Sequence, residues 1–349
     1  MARPMLKESL NKRVQKRKSD SRFYKLNSIL GNDWAAFYVI VGGRMTGKSY
    51  SITDLLCNQK KKYGNNCKNY WMRISETSTK ALLSNKADKL VDPDLKRKYE
   101  LDLTTKGFEV MNRGEPFMTV LPLSQFGKLK GVGFFDKDFE GYYNIVLDEF
   151  QLEQGERRTS FDILYNFIGM IENILRTTKK RVRVFLVGNT LEEASAILRA
   201  FNFIPEKFGR FYLKSKRCVI DNLEPTEEYL QDRYGSMADI LGGDKMSNYT
   251  NELMKDNRLI KKTKLEHIQY IIKFTKHKCD WYTVWNGNVI TPYKGQPCNN
   301  VVAMRPYLDE YYSYERKLNV VEMYDSRSLY FKNYITQSYF QDAMSKIRK

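Results

Sequence analysis

Residues 37–41 read Phe-Tyr-Val-Ile-Val and run without a break into Gly42-Gly43-Arg44-Met45-Thr46-Gly47-Lys48-Ser49. The apolar, β-branched and aromatic run predicts a buried strand. After the glycines, Ile52, Leu55 and Leu56 recur at helical spacing in a stretch free of Pro and Gly, so a helix is expected to open at Gly47–Lys48. Strand, glycine loop and helix in that order are what polyphosphate binding requires. Glycines let backbone N–H groups turn inward onto phosphate oxygens, and the helix N-terminus adds partial positive charge. In such a loop Lys48 reaches the β- and γ-phosphates and the Ser49 hydroxyl sits on Mg²⁺. A plain turn with a solvated lysine accounts for the glycines but leaves both flanks unexplained.

A nucleotide site also needs an acid beside the metal. Further along, in YYNIVLDEFQ, Tyr143, Ile145, Val146 and Leu147 predict a strand ending on Asp148 and Glu149. Its carboxyl end would deliver Asp148 to Mg²⁺. Glu149, on the other face of the pleat, would polarise the attacking water. Alone, two acids at a strand end read equally as a solvated turn. With the loop upstream they indicate ATP hydrolysis assisted by an added catalytic glutamate.

The charge balance suggests the partner. The chain has 349 residues, with 59 basic against 41 acidic side chains and a net charge of +18, which favours a polyanion. A membrane is the weaker choice, since the longest apolar run, Trp34 to Val41, falls far short of the roughly 20 residues a spanning helix needs. The charged N-terminus without an apolar stretch does not read as a signal peptide. The five cysteines, Cys57, Cys67, Cys218, Cys279 and Cys298, are scattered and odd in number, which fits a reducing cytosol better than a disulfide framework. His277 and Cys279 lie close in sequence, but two histidines in the chain make a poor zinc site.

The length predicts two domains. Residues 1–30 form a basic N-terminal arm, either touching nucleic acid or merely solubilising. Residues 31–215 alternate strand-like and helix-like segments, as a mainly parallel sheet with helices on both faces would. Residues 216–250 form a linker, with one helix that has Pro225 at its first turn and Gly242 just past its end. Residues 251–349 form a separate α/β domain, in which Asn286–Gly287 marks a two-residue hairpin turn and a helix closes the chain.

Two more features belong to the first domain. RVRVFLVGNT, residues 181–190, predicts a buried strand ending on Gly188 and Asn189, where a polar residue can sense the γ-phosphate or simply mark a strand-to-turn junction. Arg176, ahead of the basic cluster TTKKRVR, can act across a subunit boundary on a neighbour's ATP or belong to a solvated or DNA-facing basic face.

The whole chain resembles the DNA-encapsidation (genome-packaging) ATPases of small short-tailed bacteriophages, the phi-twenty-nine-like group. VGGRMTGKSY, IVLDEF, ILRTTKKRVRVFLVGN and the closing LYFKNYITQSYFQDAMSKIRK carry the likeness in order and at similar spacing. More distantly, LKGVGF is similar to a loop of large terminase subunits, with Lys130 in the place of an arginine. The resemblance implies a ring, expected to be a pentamer, on the portal vertex of a procapsid, driving double-stranded DNA inward with ATP and Mg²⁺ in the host cytoplasm. It leaves open whether a structural RNA bridges motor and portal. The implied ATP contacts are Gly42, Gly43, Arg44, Met45, Thr46, Gly47, Lys48, Ser49, Tyr50 and Asp148, with Ser49 and Asp148 on the metal. Glu149 is the implied catalytic acid, Arg176 the arginine finger offered in trans, and Lys130 the lid lysine, with Lys128 as its rival. Asn189 matches the coupling position.

The second domain of this family resembles an RNase H-type nuclease without its cutting centre. The sequence agrees, because two-metal cleavage needs convergent carboxylates and the acids after residue 251 are dispersed. DNA contacts are expected at Arg157, Arg158, Lys261, Lys262 and Lys264, gripping phosphates without reading sequence. The competing functions are a terminase or other nucleic-acid motor with an active nuclease, and a non-catalytic basic adaptor for DNA or portal.

Overall fold

The computed structural model describes residues 23–31, 33–131, 134–151, 161–176, 178, 181–189, 195–242, 251, 259–261, 264, 268–274, 281–285, 289–292, 301–304, 311–313 and 320–347. The chain divides into two units, Met1–Leu191 with Phe208–Glu252, and Glu192–Lys207 with Leu253–Lys349. The first stretch of chain contains α1 (Asn27–Leu30), β1 (Phe37–Val41), α2 (Lys48–Tyr63), β2 (Cys67–Arg73), α3 (Glu76–Ala87) and α4 (Pro93–Tyr99). Next come β3 (Leu103–Lys106), β4 (Glu109–Asn112), β5 (Glu115–Pro122), α5 (Phe126–Leu129), β6 (Tyr142–Asp148), α6 (Ile163–Leu175) and β7 (Val182–Gly188). After α7 (Ala196–Ala200), which belongs to the second unit, the first unit closes with β8 (Gly209–Leu213), β9 (Cys218–Asn222), α8 (Glu227–Arg233) and α9 (Met237–Gly242).

These strands form one sheet in the order β3-β4-β5-β2-β6-β7-β1-β9-β8. Every pair from β5 across to β9 is parallel, and antiparallel strands extend it at both edges. The near-continuous apolar runs follow from this, because a central parallel strand is covered on both faces. In β1, Tyr38 to Val41 are all buried. Helix α2 buries Ile52, Leu56 and Cys57, and its last turn carries Lys60, Lys61 and Lys62, which suit the negative end of the helix dipole. Asp162 caps α6 by accepting from the Tyr165 N–H, and the helix buries Phe167, Met170 and Ile174. Among the described residues no helix is long and apolar enough to cross a membrane.

Several expectations need correction. The last residues of the predicted N-terminal arm are core, with Tyr24, Leu26 and Ile29 buried. The predicted linker opens with β9, which pairs with β1 from Phe37↔Cys218 to Val41↔Asn222, so the sheet continues past residue 215. The single helix expected from Pro225 to Gly242 is two, α8 and α9, divided near Gly235 at φ 73°. That glycine adopts a left-handed turn at no steric penalty, where a helix would need φ negative.

A buried ion pair ties these additions together. Arg210 on β8 donates to both carboxylate oxygens of Asp221 on β9, at 2.6 and 2.7 Å. The Tyr24 hydroxyl donates to Asp221 at 3.0 Å, and Arg210 also reaches the Ser28 carbonyl at 2.5 Å. Tyr24 and Ser28 are thereby pinned to the edge of the sheet.

The second unit holds α7, β10 (Ile268–Phe274), β11 (Trp281–Trp285), β12 (Val289–Pro292), β13 (Val301–Met304), β14 (Tyr311–Ser313), α10 (Val320–Asp325), β15 (Tyr330–Phe331) and α11 (Tyr334–Ile347). Its sheet order is β14-β13-β10-β11-β12-β15. Strands β10, β11 and β12 form an antiparallel meander, and β13 runs parallel to β10. The register pairs Trp285 with Val289, so three residues lie between the paired ends rather than the expected two; Asn286–Gly287 itself falls outside the described residues. Phe340 and Met344 of α11 pack with Ile272, Val284 and Ile290 in the core of this unit. Arg199 of α7 is held on α11 by the Ser338 carbonyl at 3.4 Å, Asp342 at 3.5 Å and the Tyr339 ring at 5.7 Å.

Asp221→Asn would leave Arg210 buried opposite a neutral group, so a loss of about 3–5 kcal/mol is expected. A lower urea midpoint at unchanged slope would show it; an unaltered midpoint would contradict the role given to this pair.

Candidate active site

Strand β7 lies between β1 and β6, and the chain leaves β1 to return at β2, beyond both. The carboxyl ends of strands at such a crossover form a crevice where ligands bind in open α/β sheets. The glycine loop follows β1 there. Gly42 donates its N–H to the Gly188 carbonyl at the end of β7, at 3.2 Å. A side chain at Gly42 would come within 2.7 Å of Leu223, so the close approach of the chain after β9 requires glycine. Gly47, at φ 78°, turns the loop into α2.

Lys48 is only 5% exposed. Its Nζ donates to the Gly42 and Gly43 carbonyls, both at 2.7 Å, and to Thr46 Oγ1 at 3.2 Å. Burial pulls its pKa down to about 8; the Asp148 carboxylate acts upward and the Arg44 guanidinium downward. Desolvation thus outweighs the acid. Arg44 and Met45 are exposed, Thr46 is buried and donates to the Gly43 carbonyl at 2.8 Å, Ser49 is half-buried, and Tyr50 is 43% exposed.

Asp148 ends β6 and is buried. Burial raises its carboxyl above the ordinary range, while Arg73 draws it back. Arg73 ends β2, the neighbour of β6 in the sheet, and its Nη2 meets Asp148 at 2.7 Å. The same guanidinium uses Nη1 to pair with Glu149. Contrary to expectation, Glu149 does not alternate to the opposite face of a pleat: its φ is 55°, the strand has ended, and both acids converge on one arginine. Arg73 was not legible in the sequence because its partner Asp148 lies 75 residues away and only the strand order brings the two together. Its position as the last residue of a strand-like run, CKNYWMR, was the available signal.

The remaining candidates occupy other places. Asn189 is half-buried and follows Gly188 directly. Lys128 lies in α5 and Lys130 directly after it, both exposed. Arg176 follows α6, exposed, with its guanidinium 5.2 Å from the Phe135 ring centre. Asn173 of α6 donates to the Leu129 carbonyl at 3.3 Å, so Lys130 and Arg176 ride on one packed pair of helices. In the second unit Lys261 lies 4.8 Å over the Tyr330 ring and Lys264 is exposed. Arg157, Arg158 and Lys262 lie outside the described residues.

Comparison with solved structures places this architecture. The Phi-28 gp11 DNA packaging motor superposes with a TM-score of 0.62 at 13% identity, covering 94% of this chain and 99% of that one. The bacteriophage Phi-29 viral genome packaging motor assembly superposes with a TM-score of 0.65 at 18% identity, covering 94% and 100%. No curated protein matches in sequence. The fold is therefore a mixed α/β one with a large, mostly parallel sheet, of the kind found in phage packaging motors. Residues 18–305 match the model of the podovirus DNA encapsidation protein, Gp16, and the chain belongs to that family. It is a phage DNA-packaging motor protein of the ATPase type.

Removing the shared guanidinium should leave Asp148 and Glu149 as an unpaired acidic couple. Arg73→Ala is expected to destabilise the protein by about 2–4 kcal/mol at neutral pH. The arginine's attraction exists only for an ionised carboxylate, so the deficit must shrink as pH falls and Asp148, whose carboxyl burial raises above the ordinary range, takes up its proton. Unfolding midpoints of both proteins measured from pH 7 down to pH 4.5 check this; a deficit independent of pH would contradict it.

Proposed function

We propose that the protein hydrolyses ATP to drive double-stranded DNA into a procapsid. One observation carries the reading: in a chain of the encapsidation family, the buried Lys48 and the Arg73-held acids stand at neighbouring strand ends around β7. The residues present fit a Mg²⁺–nucleotide. The loop opens onto a helix N-terminus, Lys48 offers a desolvated cation, and Asp148 offers a buried carboxylate. Ser49 and Asp148 would hold Mg²⁺, which would supply neutralisation of the phosphate charge.

Gly42, Gly43, Arg44, Met45, Thr46 and Gly47 of the loop, with Lys48, Ser49 and Tyr50 of the first turn of α2, contact the nucleotide. Lys48 orients the β- and γ-phosphates. Glu149 takes the proton of the attacking water as its oxygen bonds to the γ-phosphorus and the bond to the β–γ bridging oxygen breaks. Arg73 holds Glu149 in an ion pair, so the base becomes available when that contact opens. Arg176 completes the charge stabilisation on a neighbouring subunit of a ring, and Lys130 approaches from the lid. Asn189, one residue beyond the strand that anchors the loop, reports γ-phosphate.

The second unit is read as an RNase H-like domain without a cutting centre. The antiparallel β10-β11-β12 meander flanked by parallel β13 supports that topology. Arg157, Arg158, Lys261, Lys262 and Lys264 grip the DNA backbone, and the motor works in the host cytoplasm, transiently on the portal vertex.

DNA-stimulated phosphate release by the pure protein should fall by roughly 10²-fold or more in Lys48→Ala and Glu149→Gln. Arg176→Ala should lose about a thousandfold yet recover on mixing with Lys48→Ala subunits, because each supplies what the other lacks. Turnover by Glu149→Gln at the wild-type rate would sink the assignment. Incubation of the pure protein with duplex DNA and Mg²⁺ or Mn²⁺ should leave the DNA intact; cleavage lost on mutating Asp280 or Asp325 would reverse the nuclease reading.

A further inference from the structure

Helix α8 lies in the stretch expected to be a linker, and it grips the glycine loop from outside. Its Thr226 cap accepts from the Tyr229 N–H at 3.2 Å, which fixes the first turn and the Tyr229 side chain on it. Tyr229 is 1% exposed, and its hydroxyl donates to the Arg44 carbonyl at 2.7 Å. Three residues along the loop's outer edge, Arg44, Met45 and Thr46, are then held by other segments: Arg233 Nη1 lies 3.7 Å from the Met45 sulfur, and the Tyr24 N–H donates to the Thr46 carbonyl at 2.8 Å. The Arg233 guanidinium also stands 5.7 Å from the Tyr229 ring centre, so the two α8 side chains brace one another.

A trans peptide unit is planar, and its C=O and N–H point in opposite directions. No cis peptide is present among the described residues. A hydroxyl that draws the Arg44 carbonyl outward therefore turns the Met45 N–H inward. The Tyr24 N–H does the same for Gly47 through Thr46. Inward N–H groups are the groups a phosphate needs from such a loop.

We propose that Tyr229 is a positioning residue for nucleotide binding: its hydroxyl aims the Met45 amide at the bound phosphates, and α8 senses through that bond whether they are present. The proposal rests on the reading of the loop as a nucleotide site. It goes beyond that reading by giving the helix after β9, far along the chain, a part in affinity. Because α8 lies on the covalent path from β9 to the second unit, phosphate binding also acts on that path at Tyr229.

The test uses the full-length protein and Tyr229→Phe, which keeps the buried ring and deletes only the donor. Titration with a fluorescent ATP analogue should show affinity weakened roughly 3- to 10-fold, the range for one lost hydrogen bond. The KM for ATP should rise by more than the saturating rate falls, and the melting temperature without nucleotide should drop by only about 2–4 °C, the cost of one hydrogen bond. Hydrogen exchange supplies the second measurement: nucleotide should protect the α8 amides in wild type and protect them less in the variant. Lys48→Ala separates the two claims. Loss of binding in Lys48→Ala with wild-type affinity and protection in Tyr229→Phe overturns the Tyr229 proposal alone. Undiminished binding in Lys48→Ala overturns the nucleotide site on which it stands.

Discussion

Two hydrogen bonds at the end of β7 hold the halves of the site in register. The Gly188 carbonyl receives the Gly42 N–H, and the Val187 carbonyl receives the Phe150 N–H, at 3.2 and 3.1 Å. The glycine loop and the chain just past the two acids are thus fixed to consecutive peptides of one strand. That strand can serve both only because it is inserted between β1 and β6. If β1 and β6 were adjacent, the loop and the acids would meet directly, and no third element would register their separation. Here any change in that separation falls on Gly188, and the next residue is Asn189.

The charges around this anchor are arranged in tension. Lys48 and Arg73 oppose Asp148 and Glu149, yet the buried members do not simply neutralise one another. Desolvation dominates both Lys48 and Asp148, lowering the first to about 8 and raising the second. A lysine so placed gains from any anion that enters the loop, because the new charge restores the favourable field that burial has removed. Arg73 does the converse for the acids, holding Asp148 and Glu149 at a strand end where two carboxylates would otherwise repel. Removing a hydrogen-bonded partner from either set is therefore harsher than the modest net value of an exposed ion pair would suggest.

Much of this was legible in the sequence where one periodicity dominated. Strands β1, β6 and β7 announce themselves as apolar runs because both faces of a central parallel strand are covered, and the glycine pattern fixes the join to α2. Strand β9 escaped for the opposite reason. CVIDN is short and ends in Asp221 and Asn222, which look like loop residues until Arg210, Tyr24 and Asn251 are seen to satisfy them. The core role of residues 24–29 was hidden by the basic composition ahead of them, although Tyr24, Leu26 and Ile29 carry the apolar side chains that the sheet edge needs. Arg73 and Tyr229 were illegible on any local rule. Each acts through a partner set by strand order or by a later helix.

Two of the covalent paths that join the units start beside the glycine loop. The chain crosses between them three times. Its first exit follows β7 directly, so it begins at the carbonyl that holds Gly42, and it leads to α7, which Arg199 fixes on α11. Its return enters through β8, at the edge of the sheet. Its last exit begins at Leu223, whose N–H bonds the Val41 carbonyl and whose side chain covers Gly42, and passes through α8 before Asn251 closes back onto Asn222 and Leu223. Both outgoing segments start in contact with the loop, whereas the incoming one enters at the edge of the sheet, two strands from β1. A motor that had to turn events at a bound phosphate into movement of its second unit would need that asymmetry, since a segment can carry strain outward only if its origin moves with the loop.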